Sequence, residues 1–303
     1  MVSMKYKNTL AISFLILDSL FYVILSIISR YLNTGFENFT QVYLRLSIAF
    51  ILSIIVFKKR ISLKRILEIP LKDKIILLIM GIWGYGVAVY FLTLGALNTN
   101  IVNVSFIAAS APLFTYLFSV IFLSYKINLR LILLVLFSIL GIGMIATKSF
   151  FPLISNFGKG ELFTVLGAIG LSSFFVGRKK LSEHLNNGEI TTILAFLAAA
   201  STFAFSMISH ESLPSLDNLN GFLLLAVLVG GILNVTSTFL ETFSFGTINT
   251  VLGNQILLFE SVFAMIFGYL IYQEIPILPE IVGGLVVIIS VFLSNMIVDE
   301  VER

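Results

Sequence analysis

LAISFLILDSLFYVILSIISR, residues 10–30, is apolar throughout apart from hydroxyls, one acid at Asp18 and a closing Arg30. A helix needs about 20 mostly apolar residues to cross the hydrocarbon core of a bilayer, so this stretch points to lipid as its solvent. Moved along the chain, the same window finds further candidates at 39–57, 75–94, 101–123, 129–147, 161–177, 189–209, 221–243, 250–272 and 277–298. The connections carry the punctuation: KKR at 58–60, NTN at 98–100, FGKG at 157–160, NNG at 186–188, LPSLDN at 213–218, and Pro276 with Pro279. The apolar runs are about twice the length of a barrel strand and do not alternate, which argues for helices. The expected fold is an all-α integral membrane protein of ten transmembrane helices, with no segment left for a soluble domain. The first run lacks an A-x-A cleavage pattern, so it reads as a retained helix rather than a signal peptide.

Composition agrees. Hydrophobic residues make up 58% of the chain and charged residues 12%, with a mean hydropathy of +1.05; soluble domains average about 45–50% and about 25%. A water-soluble chain of this length could not hide so much apolar surface in one core. The net charge of +3 is no nucleic-acid signal, because the basic residues sit between apolar spans, where anionic headgroups are their partner. There is no cysteine, which excludes disulfides, thiolate metal sites and cysteine nucleophiles. His184 falls in a loop and His210 at a helix end, with no acid cluster at ligand spacing, so no metal and no cofactor are expected.

The basic residues also set the orientation. Lys5, Lys7, Lys58, Lys59, Arg60, Lys64, Arg65, Lys72, Lys74, Lys126, Arg130, Arg178, Lys179, Lys180 and Arg303 fall on the N-terminal side of a ten-span chain. Only Arg30, Lys148 and Lys159 fall on the other, and Arg45 lies within a span. The positive-inside rule then places both termini in the cytoplasm of a multi-pass plasma-membrane protein. Merging or dropping one helix would erase the asymmetry, so the charges test the helix count as well.

A shift of 149 residues without a gap lays span 1 on span 6, and so on to span 5 on span 10. It brings together Leu32 and Leu181, Arg30 and Lys179, Gly81 and Gly230, Thr93 and Thr242, and Asn100 and Asn249. The chain divides on this register into five-helix repeats at 1–149 and 150–303. An odd helix count per half makes the second enter from the opposite face. Such an inverted repeat is an architecture of alternating access; a duplication kept only for a stable bundle is the other reading.

Two stretches, YFLTLGALNTNIVNVSFIAASAPLFTYLFSVIFLSYKI (90–127) and LETFSFGTINTVLGNQILLFESVFAMIFGYLIYQEI (240–275), share a design. A short polar loop leads into a helix with an (A/E)-P-x-F pattern near its middle. Ala111-Pro112-Leu113-Phe114 fits the first copy, and Glu260-Ser261-Val262-Phe263 the second. Glu274 supplies the terminal acid that Tyr125 replaces in the first. The chain therefore resembles the EamA-type transporters of the drug/metabolite transporter superfamily, over its whole length as a 5+5 pattern. The resemblance implies transport of metabolites such as amino acids without ATP hydrolysis. Ser261 stands where the family has proline, which leaves the bend of the ninth span open.

Ionisable groups at mid-bilayer are expensive and usually face a cavity or a partner. Asp18 lies near the middle of span 1, with Tyr22, Ser26 and Ser29 following at helical spacing, a stripe that suits a wet path or a pairing with a neighbouring helix. Glu260 lies mid-span in span 9, on one face with Gly253, Ala264 and Gly268, where a backbone or ligand could come close. A carboxyl in hydrocarbon is deprived of hydration, which makes proton exchange physically available; a structural carboxyl is the alternative. Arg45 in span 2 has a substrate carboxylate, Glu37 or Glu274 as candidate partners. Asn234, Thr238 and Glu241 form a stripe on span 8, with Glu241 near enough to the end to be merely wet. Trp83, Tyr85 and Tyr90 are pocket candidates because their polar atoms need partners, with interfacial anchoring as the alternative. Spans 5 and 10 carry few polar side chains beyond Ser138 and Ser290; their glycines suit close helix contact, so they belong at the periphery.

The expected function is a secondary transporter, acting as an exporter of a small metabolite such as an amino acid, by rocking of two halves about a central cavity. Its candidate pathway is Asp18, Tyr22, Arg45, Trp83, Tyr85, Asn234, Gln255 and Glu260. Small-molecule substrate and lipid are the expected partners, protons and a second copy of the chain being further ones the reading allows. An intramembrane enzyme would need paired acids, H-E-x-x-H or G-x-G-D, and none is present. A channel or receptor-like protein is the remaining class. In intact cells, Lys59→Cys should resist a membrane-impermeant maleimide until the membrane is permeabilised; labelling from outside would reverse the orientation.

Overall fold

The computed structural model describes residues 4–99, 104, 107–151, 158–214, 221–272 and 275–301, and every regular element among them is helical. Asn100, Glu274, Arg303 and most of the LPSLDN loop lie outside the described residues. In chain order the helices are α1 (Met4–Leu32), α2 (Asn38–Phe57), the short α3 (Leu63–Glu68), α4 (Leu71–Asn98), α5 (Ala111–Leu123), α6 (Leu129–Thr147), α7 (Lys159–Lys180), α8 (Asn187–Ile208), α9 (Gly221–Thr247), α10 (Thr250–Leu257), α11 (Phe259–Tyr272) and α12 (Leu278–Val301). Six of these, α1, α2, α4, α7, α8 and α9, are long and apolar enough to cross a membrane; α5, α6, α10 with α11, and α12 supply shorter apolar stretches.

The polar connections start the helices by capping them. Asn128 accepts from Arg130 N at 3.0 Å to open α6. Asn249 accepts from Val251 N at 2.9 Å to open α10. Asn186 and Glu189 close a reciprocal capping box at the start of α8, where unpaired backbone N–H groups need acceptors.

α4 is α-helical at both ends and a π-helix over Ile79–Val87. Its glycines permit close approach: a Cβ on Gly84 would lie 3.1 Å from the Phe174 backbone of α7. The bend left open for span 9 is present without proline. Leu258 N bonds to Gln255 O and Ser261 N to Leu258 O, each at 3.1 Å, separating α10 from α11. Ahead of α5, Ser110 N bonds to Ile107 O and Leu113 N to Ser110 O, each at 2.9 Å. The two tightened turns sit one residue off the 149-residue register.

The long helices do not pack half by half. α1 lies against α9, and α4 against α7; α2 packs on α9, and α8 on α4; α1 meets α10 and α11, while α7 meets α5; α2 runs beside α8. Each contact has its counterpart when the halves are exchanged. α6 and α12 pack mainly on each other, with Ser138 and Ser290 buried, as expected of peripheral spans. A Cβ on Gly141 would fall 2.7 Å from the Gly283 carbonyl oxygen, so Gly141→Leu should destabilise by about 1–3 kcal/mol through overpacking. A thermal unfolding midpoint in detergent checks this; an unchanged midpoint would show the contact to be slack.

Candidate functional site

A helix in hydrocarbon presents its few polar side chains where other helices cover them. The inward faces of α1, α4 and α9 gather most of the polar groups here. Asp18 on α1 is 0% exposed, and the Ser237 hydroxyl of α9, also buried, faces its carboxyl as a hydrogen-bond donor. One turn further along each helix, the Tyr22 hydroxyl donates to the Glu241 carboxylate. Glu241 is 1% exposed, so the expectation of a wet helix end is corrected: packing of α1 on α9 seals it.

Tyr85, in the π segment of α4, is the hub on the other side. Its hydroxyl donates to Asn234 Oδ1 at 3.2 Å and accepts from Thr238 Oγ1 at 2.7 Å. The Asn234 amide in turn donates to Gly230 O at 2.7 Å. Tyr85 lies within electrostatic range of Glu241, Asp18 and Arg45. Arg45 is 3% exposed and bonds to Ser29 Oγ at 2.8 Å and to Gln41 O at 3.3 Å. The expected alternative of pairing with Glu37 is not observed, because Glu37 bonds to Ser212 instead.

The other candidates divide. Gln255 is fully buried with neither amide atom bonded. Glu260 is half-buried and within electrostatic range of Asp18. The Gly253 face is not open space; a Cβ there would meet Phe245 Cε1 at 2.7 Å. Trp83 is 37% exposed and stands edge-on to Phe91 on the outer surface of α4. Tyr90 stacks on Phe39 at 3.4 Å between ring centres. The structure thus gathers Asp18, Tyr22, Arg45, Tyr85, Asn234 and Glu260, and sets Trp83 apart. Ser26 is exposed, whereas Ser29, at the end of the α1 stripe, bonds to Arg45.

The network lies between two differently finished faces. At the face carrying the N-terminus, Ser119 and Thr250 hydroxyls meet at 2.8 Å, and Asn254 donates to Thr115 at 2.6 Å. There too Arg178 Nε donates to Thr242 O at 2.7 Å. At the opposite face two cavities, of about 280 and 430 Å³, share Asn33, Phe36 and Glu37 in their linings. Beside them Glu211 accepts from Phe39 N at 2.9 Å and Thr40 N at 2.8 Å, while two hydrogen bonds from Ser212 hold the Glu37 carboxyl below the usual carboxylate range. Across the molecule, Glu189 accepts from Ser62 N at 2.9 Å and pairs with Arg65 at 3.2 Å. Spans 2 and 7 are therefore clasped at both ends. Among the described residues no group of three His, Cys, Asp or Glu is placed to hold a metal ion.

Sequence reasoning missed Ser237, the role of Glu241, and both clasps. Helical spacing put Glu241 on the Asn234–Thr238 stripe, but nothing in the spacing showed that Tyr22 covers it.

Comparison with known proteins adds three findings. The model of the EamA-like transporter family matches residues 9–147 and again 158–296, the same 149-residue displacement. A Synechocystis protein described as an uncharacterized transporter is 22% identical over 249 residues, covering 80% of this chain and 71% of that protein. A solved crystal structure superposes with a TM-score of 0.74 at 15% identity, covering 97% of this chain and 98% of that one, which bears on the fold alone.

Tyr85→Phe removes the acceptor of Thr238 and a donor to Asn234, both buried. The variant should lose about 1 kcal/mol of stability, the desolvation penalty of the Asn234 amide oxygen left without its donor; Thr238 keeps its bond to Asn234 O at 2.8 Å. A thermal midpoint equal to that of the parent would show that the hub does not hold α4 to α9.

Proposed function

The chain belongs to the EamA-like transporter family and is a multi-pass membrane transporter, and on that premise we propose that it is a secondary exporter of a small metabolite such as an amino acid. The observation that carries this reading is the buried polar cluster that places Arg45, Tyr85, Glu241 and Asp18 within electrostatic range of one another. Burying a carboxyl with no cation paired to it is costly in a protein and costlier in hydrocarbon. Such a group persists where it is used. A zwitterion fits the arrangement, its ammonium group to Asp18 and its carboxylate to Arg45, with Tyr22, Asn234 and Gln255 supplying hydrogen bonds. Proton exchange at Asp18 and Glu260 would couple the cycle to a gradient.

The reading takes the shorter apolar helices as spans too. α5, α6, α10 with α11, and α12 then bring the count to ten, in two oppositely inserted five-helix repeats, 1–149 and 150–303, of a plasma-membrane protein with cytoplasmic termini. Packing supports one assignment of the bodies that would rock. α1 and α9 travel with α10 and α11, while α4 and α7 travel with α5. The moving units thus mix the two sequence halves, in place of halves moving as blocks. Tyr85 and Asn234, which join the units, are themselves 149 residues apart, as expected of groups near an axis relating the repeats. A family of transporters sets the intramembrane enzyme aside.

Counterflow in proteoliposomes with a panel of labelled amino acids tests the proposal. Asp18→Asn and Glu260→Gln should each lower flux by about tenfold, the worth of roughly one charge-assisted hydrogen bond. Their flux should also lose its pH dependence between roughly pH 6 and 8, where a coupling carboxyl must exchange its proton. Unchanged flux in both variants would rule the acids out of the pathway.

A further inference from the structure

The 149-residue register pairs Arg30, at the end of α1, with Lys179, near the end of α7. The two residues are in opposite situations. Lys179 Nζ donates to Thr247 O at 3.3 Å and Ile248 O at 3.1 Å, the carbonyls that finish α9 before α10 begins. A cation at a helix C-terminus satisfies orphan carbonyls and complements the helix dipole. The bond also crosses between moving units, from the α4–α7 body to the α1–α9 body. It therefore fastens the face that carries the N-terminus.

Under the same register Thr247 and Ile248 correspond to Asn98 and Thr99, which finish α4. Arg30 ought to meet them if the opposite face were fastened in the same way. Instead Arg30 is exposed and has no hydrogen bond or ion pair among the described residues. Asn33, one turn beyond it, faces Asn98 across the cavity of about 430 Å³. One latch is thus closed where its counterpart borders a gap. The hydroxyl layer is one-sided as well: Thr115 and Ser119, bonded to Asn254 and Thr250 beneath the Lys179 latch, correspond to Ala264 and Gly268, which carry no hydroxyl.

We propose that Lys179 and Arg30 are alternating latches of the transport cycle. In the conformation seen, Lys179 holds the N-terminal face shut. In the reversed conformation Lys179 lets go of Thr247 and Ile248, and Arg30 takes the carbonyls of Asn98 and Thr99, closing the cavity. The two residues then set the balance between the conformations without touching the substrate. The inference rests on the alternating access proposed above.

The full-length chain has no cysteine, so single introduced thiols report without background. Ser119→Cys reports the N-terminal face and Asn33→Cys the opposite cavity, each labelled with a membrane-impermeant maleimide in vesicles. Lys179→Gln should raise Ser119→Cys labelling and lower Asn33→Cys labelling, shifting their ratio by roughly tenfold, a usual size for a two-state bias. Arg30→Gln should shift the ratio in the opposite direction, while Lys179→Arg and Arg30→Lys retain the parent ratio. Arg30→Cys combined with Asn98→Cys should be bridged by a bifunctional thiol reagent about as long as an arginine side chain, since the reversed state brings the two positions within that reach but not within disulfide distance. If that pair cross-links but the two glutamine variants leave the ratio unchanged, alternation stands and the latches are refuted. If the pair never cross-links and Ser119→Cys is never labelled, alternating access fails and the latches fail with it.

Discussion

The Asp18 carboxyl is fully buried on α1, opposite the Ser237 hydroxyl and one turn from the Tyr22–Glu241 bond. Hydrocarbon offers such a group no hydration, so the protein must surround it with other polar groups or deliver a partner to it. Much of the architecture follows from this constraint. α9 brings Ser237 and Glu241 to α1, α4 turns Tyr85 inward through a π segment, and α2 carries Arg45 into the same network. The helices that send no side chain into this cluster, α6 and α12, are left to pack on each other.

Sealing the network requires close helix contact, and glycine supplies it. Gly84 lets α4 lie on the backbone of α7, and Gly230 leaves room for the aliphatic stem of Arg45, whose Cδ would sit 2.7 Å from a Cβ there. The same helices carry the bonds that close the N-terminal face, so the polar centre and the closure are mechanically joined. Both clasps between spans 2 and 7 place a buried or half-buried carboxylate on backbone N–H groups. That pair can remain assembled while the bodies on either side of it tilt.

Much of this was legible in the sequence because hydropathy and charge are local properties. The six long apolar helices, the mutual packing of the polar-poor α6 and α12, and the stripe of Asn234 and Thr238 on one helix all followed from spacing along single helices. What failed depended on which helix faces which. Glu241 looked wet because the sequence does not say that Tyr22 covers it, and Trp83 looked like a pocket residue because its ring gives no sign of facing outward. The bend before α11 was open for a related reason: proline marks such a bend in sequence, but tightened backbone bonds at Leu258 and Ser261 make one without it. The π segment had only its glycines as a signal. The mixing of the two halves into intertwined bodies left none at all.

The central claim is that the polar network around Asp18 is a binding site reached from each side of the membrane in turn. Ser237 is 3% exposed and faces the Asp18 carboxyl. In an otherwise cysteine-free chain, Ser237→Cys should therefore be modified by a small impermeant thiol reagent applied to either face of sealed vesicles. Reaction from both faces, each slowed by a transported amino acid, is the predicted result. Reaction from one face only, or from neither, would contradict the account.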